Sequence, residues 1–137
     1  GGTQNAADII SSKLAQNGVK NIKTFDISHS DSSRVLSEAF KYSHIVLATT
    51  TYNMEIFTSM DNFISNLIKH NLQNRTYAII ENGSWACNCG KLLKEKLEKL
   101  KNSKIIENEI TLQSSIKTSQ SSEFDELAKI LAKDILG

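Results

Sequence analysis

Proline is absent from the 137 residues, so no turn of this chain depends on a ring-fixed φ. Only two cysteines occur, Cys87 and Cys89. With one residue between them they cannot staple distant parts of a fold, and two thiols cannot complete a structural zinc site. Their spacing also differs from the C-x-x-C of thiol oxidoreductases. A reducing, cytoplasmic setting is therefore expected. A surplus of one charge is missing too. Sixteen Lys/Arg face fifteen Asp/Glu, which removes the basic excess that nucleic-acid binders use to neutralise phosphates. No apolar run approaches the roughly 18 residues of a membrane span, and the first residues are not a basic-then-apolar secretion signal. Neither nucleic acid nor membrane is an expected partner. His29, His44 and His70 are scattered, one per element boundary, which suits surface or capping roles better than a metal cluster.

What is present is an alternation of two hydrophobic periods. Residues 3 to 16 carry Ala6, Ala7, Ile10 and Leu14 at helical spacing, and Asn17-Gly18 is a helix stop. Residues 19 to 27, with Ile22, Phe25 and Ile27, read as a strand with one wetter face near a sheet edge. The Ser/Asp cluster at 28 to 33 can cap a helix bearing Val35, Leu36, Ala39 and Phe40. Ile45 to Ala48 and Tyr77 to Ile80 are continuous apolar runs of the kind found in central parallel strands. A helix with Ile56, Met60, Phe63, Ile64 and Leu67 lies between them. Another with Leu92, Leu93, Leu97 and Leu100 follows. Residues 104 to 112 read as the last strand, 113 to 122 as a surface loop, and Phe124, Leu127, Ala128, Leu131 and Ile135 as the stripe of a final helix. The order α-β-α-β-α-β-α-β-α implies one three-layer α/β domain over 1–137 with right-handed crossovers. No strand precedes the first helix, whereas the first strand of a doubly wound sheet is usually central. The expectation is a domain lacking its first strand, with a parent protein that continues upstream.

Ligands of open parallel sheets bind outside the carboxyl ends of the strands, and three segments fall there. Gly1 to Asn5 runs into the first helix, where small residues and unpaired amides suit an anion. The same residues also read as an N-terminal leftover with an ordinary cap. Thr49-Thr50-Thr51-Tyr52-Asn53 offers three hydroxyls, a ring and an amide in one turn. Glu81 to Gly90 holds the only tryptophan, Trp85, in a Gly/Ser/Asn loop. Two aromatics on separate loops and a phosphate-suited helix start point to a planar ligand with a phosphate tail, a description that flavin mononucleotide (FMN) meets. A dinucleotide is disfavoured, because no G-x-G-x-x-G occurs.

The segments "YSHIVLATTTYNMEIF", "NRTYAIIENGSWACNCGKLLKEKL" and "GGTQNAADII" resemble the flavodoxin-like domain at the C-terminal end of flavodiiron proteins (A-type flavoproteins). The likeness spans almost the whole chain, and the Thr-Tyr-Asn and Gly-Ser-Trp turns are its most specific parts. It implies a flavodoxin-like parallel sheet of order 2-1-3-4-5 and a bound FMN. By the same likeness, Gly2, Thr3, Gln4 and Asn5 lie at the phosphate end. Thr50, Thr51, Tyr52 and Asn53 wrap one side of the cofactor, and Asn82, Gly83, Ser84, Trp85 and Ala86 wrap the other. Thr50 and Thr58 stand where the family usually has proline, and Cys87 and Cys89 replace small or polar residues.

The resemblance further implies an electron carrier without a side-chain nucleophile. Its expected partners are a donor such as a rubredoxin or an NAD(P)H-linked reductase and the iron-binding domain of the parent protein, with a homo-oligomer compatible. The competing readings are an FMN-dependent NAD(P)H:quinone reductase and a flavodoxin-fold binding domain without catalysis. A phosphoacceptor receiver is disfavoured because its acidic strand ends are missing.

Overall fold

The computed structural model describes residues 2–27, 29–50, 54–82, 89–106, 110–112 and 121–137. Helix α1 (Gly2–Gln16) stops where the Asn17-Gly18 pair predicts. Gly18 takes φ +95°, its N–H reaches the Ala15 carbonyl, and the Val19 N–H reaches that of Leu14, both at 3.1 Å. Leu14 and Val19 are buried in one apolar cluster, so the cap is hydrophobic as well as hydrogen-bonded. Helix α2 (Ser32–Ala39) starts on Asp31, whose carboxylate accepts the Ser33 N–H at 3.0 Å. Helix α3 (Met54–Lys69) ends on the same device as α1, with Asn71 at φ +58° in place of glycine. The Leu72 N–H there reaches the Leu67 carbonyl at 3.0 Å. Helices α4 (Cys89–Leu97) and α5 (Ser121–Leu136) complete the set.

Strands β1 (His44–Thr50) and β2 (Thr76–Asn82) pair in parallel without a break, from His44 opposite Thr76 to Thr50 opposite Asn82. The two short strands β3 (Lys104–Ile105) and β4 (Ile110–Leu112) both lie parallel on the other edge of β2. The expected strand over 104–112 is thus divided. Thr76 faces Lys104 but Ile80 faces Ile110, so two extra residues separate the ladders on that side.

Alternation along β1 and β2 feeds two cores. Val46, Ala48, Ala78 and Ile80 face α1 and α5, where Ile10, Phe124 and Leu127 are buried. Ile45, Leu47, Tyr77 and Ile79 face Met60, Ile64, Leu67, Leu93 and Leu97 of α3 and α4. This is the three-layer arrangement that continuous apolar strands require.

Three expectations need correction. Residues 19–26 carry no strand ladder, because among the described residues no strand lies beside them to bond. Phe40 is 43% exposed. Helix α2 ends at Ala39, so Phe40 caps the helix, and its carbonyl accepts Arg75 Nη2 at 3.0 Å. Leu92 is 52% exposed, since the buried stripe of α4 runs through Leu93 and Leu97.

The amino ends of the strands are tied by a charged latch. His44 Nε2 lies 2.6 Å from Asp134 on α5, and Lys104 of β3 donates to the other Asp134 oxygen at 3.0 Å. The His44 hydrogen bond, then that of Lys104, holds the Asp134 carboxyl below its ordinary 3.8. A carboxyl depressed by folding stabilises fully above its ordinary value and stops doing so as pH falls through its lower folded value. Between pH 5 and 2, Asp134→Asn should therefore flatten the acid loss of thermal stability relative to the parent. An unchanged slope would show that the latch does not couple to folding. A second expectation concerns Tyr77, which is 0% exposed with a hydroxyl that has no partner. Burial pushes that hydroxyl up to about 12. Removing an orphaned buried hydroxyl relieves its desolvation, so Tyr77→Phe should raise urea-unfolding stability by about 1 kcal/mol.

Candidate functional site at the carboxyl ends of the strands

The direction of each element decides what meets at this end. The α5 C-terminus contacts the start of β1 through Asp134 and His44. Gly18, just past α1, sits beside Leu136 at the end of α5. Both helices therefore run antiparallel to the strands, and α1 opens at the strands' carboxyl ends. Helix α3 starts four residues after Thr50, and α4 starts seven after Asn82, so their first turns lie at that end as well. The first turns of α1 and α4 contain no acidic residue. Their unpaired N–H groups and partial positive charge face no competing carboxylate of their own.

The β1–β2 register sets Thr50 level with Asn82 and Thr49 level with Glu81. By strand alternation Thr50 falls on the α1–α5 face, and Thr49 and Glu81 fall on the α3–α4 face. All three described side chains are buried. Thr49 is 0% exposed, and its Oγ1 has no hydrogen-bond partner. An unused buried donor at a strand end is costly to keep unless something engages it. Among the described residues the buried carboxylate at this end, Glu81, lies away from the α1 side.

The expected residues distribute as follows. Gly2, Thr3, Gln4 and Asn5 form the first turn of α1 itself rather than a loop before it. Gln4 is exposed, and its amide donates to Asp8 at 3.1 Å. Thr50 and Asn82 are the last residues of β1 and β2. Thr51, Tyr52, Asn53, Gly83, Ser84, Trp85 and Ala86 lie outside the described residues, as do Cys87 and the loop from 113 to 120. Thr49 and Glu81 belong to the expected turns, but their burial could not be read locally. That requires the register of two strands over thirty residues apart. The histidines act at boundaries. His70 donates from Nδ1 to the Asn66 carbonyl at 2.9 Å at the end of α3, and His29 lies 2.9 Å from Asp26.

No protein-family model matches the sequence, and no curated protein matches it significantly. Solved structures do match in three dimensions. A flavodoxin of Streptococcus pneumoniae TIGR4 superposes with a TM-score of 0.79 at 20% identity, over 98% of this chain and 92% of that one. A flavodoxin from the domain Archaea gives 0.81 at 16% identity, over 100% and 92%. The rubredoxin oxygen:oxidoreductase of Desulfovibrio gigas gives 0.87 at 14% identity, over 98% of this chain but 33% of its own length. The fold of this chain is therefore flavodoxin-like, as its parallel strands and flanking helices require.

Proposed function

We propose that this chain is an FMN-binding electron-transfer domain of the flavodiiron type, working within a longer oxidoreductase. The observation that carries the reading is the meeting of three helix starts with the ends of β1 and β2 at one pole of a flavodoxin-like sheet. The absence of acidic residues from the first turns of α1 and α4 fits a phosphate-bearing planar ligand. The flavodiiron assignment draws support from the Desulfovibrio gigas enzyme, in which the matching region is about a third of the chain.

In this reading the first-turn amides of α1, with Thr3 and Asn5, hold the phosphate. Thr50 and Asn82, at the two strand ends, carry the turns that flank the ring, and Tyr52 and Trp85 cover its faces. Bound flavin supplies the one- and two-electron chemistry. The chain's own contribution is to orient the ring, exclude water from its faces and leave an edge open to a protein donor of the rubredoxin class. Electrons leave toward a metal site carried by the rest of the parent protein.

Titration of FMN with the chain should quench flavin fluorescence to a 1:1 endpoint, and dithionite should bleach the bound absorbance. Trp85→Ala should weaken binding about tenfold, the order expected for one lost aromatic stack. NADPH should not be oxidised directly, and rapid turnover would favour the quinone-reductase reading instead. Free FMN fluorescence at every protein concentration would overturn the proposal. Thr49→Val should stabilise the ligand-free chain by about 1 kcal/mol.

A further inference from the structure

At the amino ends of the strands a hydroxyl, an imidazole and a carboxylate stand in a row. Ser43 immediately precedes β1, and His44 is its first residue. Asp134 comes from the end of α5, 90 positions along the chain from His44. His44 Nε2 lies 2.6 Å from Asp134 Oδ2, and its Nδ1 lies 2.6 Å from Ser43 Oγ. Three features separate this row from a solvated ion pair. First, charge sets the direction of its hydrogen bonds. His44 and then Lys104 hold the Asp134 carboxyl low, so near neutrality it is an acceptor only. A neutral His44 ring therefore places its proton on Nε2, facing the carboxylate. Nδ1 is left as a bare acceptor, and the Ser43 hydroxyl donates to it. Second, the His44 side chain is only 13% exposed, whereas Ser43 is exposed. The base is shielded from water while the hydroxyl is open to a reactant. The His29–Asp26 pair, by contrast, has its imidazole 79% exposed. Third, each member is held in place. The Thr76 N–H donates to the Ser43 carbonyl at 3.0 Å, His44 stands opposite Thr76 in the ladder, and Lys104 Nζ donates to the second Asp134 oxygen at 3.0 Å.

We propose that Ser43 is an acyl-accepting nucleophile, with His44 as its general base and Asp134 as the positioning residue that sets the tautomer of the ring. A hydroxyl bonded to a base that a third group orients is the arrangement that covalent acyl transfer requires. Relative to the Ser-His-Asp hydrolases the two ring nitrogens exchange places, which leaves the proton path from hydroxyl to imidazole intact. In the first half of the reaction Ser43 Oγ bonds to the acyl carbon of an ester, and its proton moves to His44 Nδ1. The bond from the acyl carbon to the leaving atom breaks, and that atom departs with the same proton. In the second half a water oxygen bonds to the acyl carbon and gives a proton to Nδ1. The bond to Oγ then breaks, and the proton returns to Oγ as the free acid leaves. The row supplies a nucleophile and its base at an exposed position. The fitting substrate is therefore an activated ester, an aryl ester or thioester of short acyl chain, whose leaving group departs with little help.

The proposal does not depend on the flavin reading, because the row lies at the pole opposite Thr50 and Asn82, and its test omits FMN. The chain is mixed with 4-nitrophenyl acetate at neutral pH. Nitrophenol release is followed, and the quenched protein is digested and mapped by mass. An acetyl group should appear on Ser43, and an alkyl fluorophosphonate should mark Ser43 ahead of the exposed Ser33. Ser43→Ala removes one exposed hydroxyl and keeps the His44–Asp134 bond, so it tests the nucleophile in a folded chain. It should slow release by about tenfold or more, and Asp134→Asn should lower kcat by about a hundredfold at unchanged KM, as expected when a base loses its orientation. Both variants are compared with the parent at a temperature where their circular dichroism matches. Release from Ser43→Ala at the parental rate would overturn the proposal. So would acetyl groups found on lysines or on His44 with none on Ser43, or a fluorophosphonate that marks Ser33 as readily. A rise in KM at constant kcat for Asp134→Asn would remove Asp134 from its positioning role.

Discussion

The parallel ladder between β1 and β2 is the constraint from which the rest follows. Its register runs unbroken from His44 opposite Thr76 to Thr50 opposite Asn82. One slip by a residue would turn Leu47 and Ile79 out of one core and into the other. The same register fixes the poles of the molecule. It brings the His44 imidazole to the α5 carboxylate at one end and sets Thr50 and Asn82 level at the other. The helices are bound by this geometry, because each must return antiparallel to its strand before the next can pair.

Much of this could be read from composition and spacing. The runs Ile45–Ala48 and Tyr77–Ile80 announce strands buried on both faces, and Asn17-Gly18 and the Asp31 cluster mark helix ends by local backbone chemistry. What escaped was whatever depends on a neighbour. Residues 19–27 have the side-chain pattern of a strand, but a pattern cannot report whether a partner edge lies alongside. The division of 104–112 likewise depends on how β2 is met, not on the apolar residues themselves. At the site, the position of Thr50 and Asn82 at the strand ends follows from strand order, whereas the burial of Thr49 and Glu81 emerges only when the two strands are aligned.

Burial has an uneven distribution across the sheet, and this connects the fold to its use. β2, flanked on both edges, hides its side chains almost completely and even encloses a tyrosine hydroxyl with no partner. β1, flanked on one edge among the described residues, does not. The half-covered strand carries Thr49 and Thr50 at its tip, so the order of the candidate site is coupled to how well β1 is held along its length. A ligand held at the tip would therefore act on the same element whose edge is less covered.

The latch at His44, Asp134 and Lys104 sits at the opposite pole from Thr50, six residue steps along β1, or about 20 Å at roughly 3.3 Å per step. Ions in physiological solution damp surface fields beyond about 8 Å. Discharging the Asp134 carboxylate in acid thus loosens the scaffold at one pole without an appreciable change of potential at the carboxyl ends of the strands, so acid sensitivity and the electrostatics of the candidate site can be adjusted separately.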